Sequence, residues 1–130
     1  MNLDNWQVQL RKGLLELVVI NLLSRRKLHG YQMVQILKRI QGLSIREGNI
    51  YPILARLQMD GLVASSQERS PDGPPRKYFN LTEKGKTVQA HMNTHWDHIV
   101  VQVDAIRKET PNEHGKKRLG NHQGRLPARS

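Results

Sequence analysis

Between Arg46 and Leu57 the sequence REGNIYPILARL sets polar and apolar residues at helical spacing. With Ile50, Ile53, Leu54 and Leu57 on one side of a helix, Arg46, Asn49, Pro52 and Arg56 fall on the other. The chemistry open to that outer face is hydrogen bonding to base edges. An asparagine amide matches the adjacent donor and acceptor of adenine, and an arginine matches guanine or a phosphate. Tyr51 can give its hydroxyl to a phosphate, and Arg56, further along, is placed for a contact to the DNA backbone. Arg69, Arg76 and Lys77 flank a turn and would position a duplex without reading it. The same residues also describe an amphipathic helix with a solvated face and a hairpin that is charged only for solubility. On pattern alone both readings stand.

Other groupings carry less. His91, His95 and His98 lie within about 60° of one another on a helix, but no carboxylate on that face completes a metal set. No metal and no cofactor is expected, and surface histidines or a pH-sensitive interface edge account for the cluster. The chain has no cysteine, which excludes disulfides, thiolate catalysis and cysteine-based metal sites. No glycine-rich phosphate loop and no nucleophile–base pair are present, so an enzyme is not expected.

The elements that must hold these residues follow from periodicity. Leu3, Trp6, Leu10, Leu14 and Leu17 start a helix near Leu3 that turns apolar almost all round from Leu14 to Leu23, as a buried helix does. Glu16 and Asn21 interrupt that run, which is too short for a bilayer. Lys12, Arg25, Arg26 and Lys27 read as solvated helix-end charges, with phosphate contacts as the alternative, and the last three favour the helix's negative end. His29-Gly30 breaks the pattern, and a shorter helix runs from Tyr31 to near Gly42. Ser44 and Glu47 have capping-box spacing for the third helix, although Pro52 also allows a start nearer Glu47. Gly61 suits that helix's left-handed end. Leu62–Gln67 and Lys77–Leu81 read as two strands joined by a turn over Ser70–Pro75. Thr82 caps a final helix of about 25 residues, roughly 38 Å long.

Helix, helix, helix, hairpin, helix is the layout of a winged helix-turn-helix: mainly α, with a small β-hairpin wing and a long C-terminal dimerisation helix. The expected division is a winged helix-turn-helix over residues 1–82, the terminal helix over 83–108 and a disordered basic tail over 109–130. In the terminal helix Val88, Met92, Trp96, Ile99, Val103 and Ile106 form a continuous stripe. An uncovered stripe of that length calls for a partner. The 130 residues carry a formal net charge of +10, and residues 1–108 keep sixteen Lys and Arg against nine Asp and Glu, a net +7. Such a balance favours nucleic acid over a protein partner. The N-terminus lacks a signal-peptide pattern, and a cytoplasmic location with no membrane partner is expected.

Four segments, LRKGLLELVVINLL (10–23), LHGYQM (28–33), REGNIYPILARLQMDGLV (46–63) and PPRKYFNLTEKGK (74–86), together resemble the PadR family of bacterial transcription regulators. Tyr51-Pro52 and Arg76-Lys77-Tyr78 are the most distinctive parts, and the single helix after the wing resembles the family's shorter-tailed branch. Asn49 stands where the family commonly has Thr or Ser, and Pro74 where Gly or Arg is common. The resemblance implies a repressor that binds double-stranded DNA through Arg46, Asn49, Tyr51, Pro52, Arg56, Arg69, Arg76 and Lys77. It implies a homodimer joined by the terminal helix, with Leu3, Trp6 and Leu10 of the first helix assisting. Two recognition helices would then sit about one DNA turn apart, roughly 34 Å, on a near-palindromic site. A phenolic or planar aromatic effector that changes this spacing is also implied. Trp6 and Trp96 could line its pocket, or both could be interface filler. A winged-helix protein-interaction module and a nonspecific architectural DNA binder remain the alternatives.

Overall fold

The computed structural model describes residues 1–71 and 73–109. Its elements run α1 (Leu3–Arg25), β1 (Leu28–His29), α2 (Gly30–Lys38), α3 (Glu47–Met59), β2 (Val63–Ser70), β3 (Gly73–Leu81) and α4 (Glu83–Lys108). The strands form one antiparallel sheet in the order β1-β3-β2, and with α1, α2 and α3 they make a winged helix-turn-helix. The chain divides into two compact units, Met1–Gln89 and a second that begins at Ala90. No helix among the described residues is long and apolar enough to cross a membrane. The basic tail expected over 109–130 lies, from residue 110 onward, outside the described residues.

α1 starts where the Asn2 side chain accepts the Asn5 amide at 3.1 Å, with Asp4 in the positive first turn. Its apolar half supplies Leu15, Val19, Ile20 and Leu23 to the core. The rest of the core includes Met33, Val34 and Leu37 of α2, Ile50, Leu54 and Leu57 of α3, and Phe79 and Leu81 of β3, all buried. Asn21, the polar break in this run, bonds the Leu17 carbonyl at 2.8 Å and accepts Gln89 of α4 at 2.8 Å.

Two expectations need correcting. α3 takes the later of its two possible starts, at Glu47, but the Ser44 cap is absent: Ser44 and Ile45 are in coil, with Ile45 drawn into the core, and no side chain caps the helix. The capping box lies one helix earlier. The His29 ring accepts the Gln32 amide at 3.2 Å while the Gln32 side chain accepts the His29 amide at 2.9 Å. The wing is also larger than a bare hairpin. β2 and β3 extend through much of the expected turn, with Ser70 opposite Gly73, and Leu28-His29 adds a third strand on Phe79 and Tyr78. Pro74 and Pro75 are tolerated in β3 because the ladder shifts register between Glu68 and Ser70, where a missing amide breaks no regular pair.

The junction of wing, α3 and α4 is closed by backbone bonds. Leu62 N–H reaches the Leu57 carbonyl and Gly61 N–H the Gln58 carbonyl, each at 3.0 Å, with Gly61 at φ +77°. This is a Schellman ending, which glycine enters without strain. Thr82 donates its hydroxyl to the Gly61 carbonyl at 2.7 Å and accepts the Gly85 amide at 3.0 Å, so it caps α4 and locks it to α3. Gly85 lies so close to the Leu62 carbonyl oxygen that a Cβ would collide with it.

Candidate nucleic-acid interface

With Ile50, Leu54 and Leu57 buried and Ile53 half-buried, Arg46, Asn49, Pro52 and Arg56 of α3 are exposed. They line one side of an open groove of about 1280 Å³ whose other walls carry Tyr31 and Lys38 of α2 and Arg11 and Lys12 of α1. Glu47 is the acidic residue among its described lining. Pro52 sits inside α3 without ending it, facing Gly48 one turn back, where a side chain would meet open space.

Two of the expected contact residues are already engaged. Arg56 forks onto Glu16 of α1, with Nη2 at 2.5 Å and Nε at 2.7 Å. Both partners are more than a third exposed, so the pair contributes little stability, about 0–1 kcal/mol, while neutralising that charge. Tyr51 gives its hydroxyl to Glu47 at 3.4 Å. Its ring lies on Gly30 and stands 6.5 Å from Phe79, so it links α3 to α2 and the wing. Burial, then the Glu47 carboxylate, raises the phenol above its ordinary value, and Arg76 opposes them.

On the wing Arg69, Arg76 and Lys77 are exposed. Arg76 stands 5.7 Å above the Tyr31 ring, and Lys77 lies 5.7 Å from the Phe79 ring. Lys27 is tied to Glu68 of β2 at 2.8 Å. The structure thus brings α3 and the α2 end of the wing together through Tyr31, Tyr51 and Phe79. Sequence reasoning passed over Tyr31 and His29, although Gln32 three residues after His29 has capping-box spacing.

The expected dimer residues are on α1 and α4. Leu3, Trp6 and Leu10 are exposed on α1, at 60%, 50% and 47%. On α4 Trp96, Ile99, Val103 and Ile106 are exposed, while Val88 and Met92 are partly covered. His91, His95 and His98 are exposed, and no group of residues among those described could hold a metal ion.

A family model described as transcriptional regulator PadR-like family matches residues 19–91, more than half of the chain. The chain belongs to the PadR-like family. Members of this family are transcriptional regulators and not enzymes. Among curated proteins, transcriptional regulator Rv3488 of Mycobacterium tuberculosis is 31% identical over 78 residues, spanning 60% of this chain and 71% of its own length. A PadR family regulator from Eggerthella lenta superposes with a TM-score of 0.72 at 28% identity, covering 83% of this chain and 94% of its own. A PadR-like regulator from Bacillus cereus gives 0.73 at 28% identity, covering 78% and 99%. Bacillus subtilis PadR in complex with operator DNA gives 0.55 at 25% identity, covering 61% of this chain and 45% of its own.

His29 gives this PadR-like domain a pH dependence. The residue is 9% exposed, and its side chain caps α2 through a ring nitrogen that must be unprotonated. Burial first, then the Arg76 cation, lowers its pKa below the ordinary 6.5, and Glu47 partly opposes them. Between the two values the unfolded chain binds more protons than the folded one, so stability rises with pH. The contribution is complete above 6.5 and is lost as pH falls through the folded value. Urea melts at pH 7.5 and pH 5 should show the native chain losing more stability than His29→Asn, whose amide caps without titrating. Equal losses would remove His29 as the cause.

Proposed function

We propose that this chain is a sequence-specific DNA-binding repressor that acts as a homodimer on a near-palindromic promoter site. The observation that carries this reading is the outward face of α3. Arg46 and Asn49 stand at the open start of a helix whose opposite side is locked in the core. The operator complex of Bacillus subtilis PadR supports giving this face a DNA partner, and the net charge of +10 suits a polyanion. Asn49 reads a base edge and Arg46 a guanine or phosphate. Arg69, Arg76 and Lys77 position the wing along the backbone, with Pro52 against the groove wall. Tyr51 and Arg56 join once a phosphate competes for the hydroxyl held by Glu47 and the guanidinium held by Glu16. Repression follows from occupancy of the promoter, in the cytoplasm.

Binding to genomic fragments, including the chain's own promoter, across a salt series should reveal a preferred fragment with a two-fold footprint. Asn49→Ala should then weaken specific binding roughly 5- to 150-fold, from the about 1–3 kcal/mol of a bidentate base contact, and nonspecific binding far less. Equal losses would refute base reading by Asn49. Salt-sensitive binding with no preferred fragment would make the protein an architectural binder, and no binding would favour a protein-interaction role.

In the homodimer the stripe Trp96, Ile99, Val103 and Ile106 pairs with a second copy, and Leu3, Trp6 and Leu10 add to the interface; their exposure supports this. Ile99→Glu with Val103→Glu should sediment as a monomer at micromolar concentration and lose the two-fold footprint, where the native chain sediments as a dimer. A dimer that survives both glutamates would move the interface elsewhere. The indoles of Trp6 and Trp96 are about half exposed on these segments. A phenolic effector acting there should quench tryptophan emission and release the DNA, and unchanged emission would leave the repressor without one.

A further inference from the structure

On the wing side of α2 a second, smaller cleft of about 300 Å³ has Arg26, His29, Tyr31, Gln32, Arg39 and Arg76 among its lining residues. Gln32 on α2 and Arg39, the residue that ends it, are seven residues apart, about two helical turns, and both line the cleft. Elsewhere in this unit Lys27, Arg56 and Lys86 each hold a carboxylate. Arg26, Arg39 and Arg76 form no ion pair among the described residues, and no carboxylate is among the residues described as lining the cleft. Three arginines therefore line one small space, and none of them has an ion-pair partner among the described residues. His29 is itself nine-tenths buried there. Its Nδ1 is occupied by the Gln32 amide, so the neutral ring carries its proton on Nε2 and has a donor left over.

Such a set of donors suits a phosphate, whose oxygens accept the planar forks of arginine in pairs. Position decides which phosphate. Tyr31 lines both this cleft and the groove along α3, and Arg76 spans from the wing to the Tyr31 ring. The two spaces therefore adjoin at Tyr31, and a duplex seated on the outward face of α3 has this cleft at its flank.

We propose that the α2–wing cleft seats a backbone phosphate of the bound DNA through Arg26, Arg39 and Arg76. The inference rests on the DNA-binding reading above and adds Arg26 and Arg39 to it. The test is the double variant Arg26→Ala, Arg39→Ala, with Arg26→Gln, Arg39→Gln alongside to preserve the hydrogen-bonding length of the side chains. Both would be titrated, with the native chain, against the preferred fragment and a scrambled duplex over a salt series. The expected result is an equal fold-loss on both duplexes, and a slope of log K against log salt shallower by about one for each phosphate contact removed. Native binding with an unchanged slope in both variants would overturn the phosphate seat and leave the DNA reading intact. Failure of the native chain to bind any duplex would sink the DNA reading itself. Inorganic phosphate tested without DNA separates the remaining source. If it raises the melting temperature of the native chain and not of the variants, while the DNA slope is unchanged, the cleft is a small-anion site and the proposal falls.

Discussion

A helix can present a polar side chain only if something fixes its rotation, and here that constraint is the burial of Ile50, Leu54 and Leu57. Each is at most 3% exposed, and burial of such side chains stabilises by about 1.5–3 kcal/mol apiece. Turning α3 by half a revolution would expose all three and drive Arg46 and Asn49 into an apolar core, where an unpaired guanidinium costs several kcal/mol. The outward face is therefore set by residues that never touch a ligand. Its height above the fold is set by the Schellman ending at Gly61 and the Thr82 bond to the Gly61 carbonyl, which fix where α3 stops.

The aromatic cluster at the start of α2 extends that rigidity to the wing. His29 pairs as strand β1 with Tyr78, caps α2 and meets the Tyr78 ring edge-on at 5.2 Å. One residue further on, Gly30 leaves the space that Tyr51 fills. A larger residue at position 30 would push the Tyr51 ring away and loosen the link from α3 to Phe79. Helix two is thus the spacer that sets recognition helix and wing in register.

Much of this was legible in the sequence because it rests on local periodicity. The inward and outward faces of α3, the buried run of α1, the left-handed Gly61 and the Thr82 cap all follow from residues within a turn or two of one another. What escaped depends on long separations or on an unusual residue in a familiar role. Strand β1 has two residues, too few to show alternation, and its partners lie some fifty positions away in β3. Glu16 and Arg56 are 40 residues apart, and Lys27 and Glu68 are 41 apart, so no spacing rule connects them. Histidine as an N-cap falls outside the Ser, Thr, Asp and Asn preference, which drew the capping box to Ser44 instead.

The ion pairs show why net charge alone does not locate a polyanion's path. Lys27 and Arg56 count toward the +10, yet each already faces a carboxylate, so neither offers a free charge until that partner is displaced. The exposed pairs do little for stability; their consequence is to leave the field to cations with no ion pair among the described residues, among them Arg46 beside the groove and Arg26, Arg39 and Arg76 around the cleft. Glu47 then marks a boundary. Its charge suits the positive first turn of α3, but it repels phosphates that approach the centre of the groove. On the proposed reading the backbone is held at the flanks, by the arginines of the cleft and the wing, and the centre is left to base edges. Helix rotation and charge placement thus reinforce each other on that reading, since the face turned outward by the core carries the Asn49 amide beside the Arg46 guanidinium.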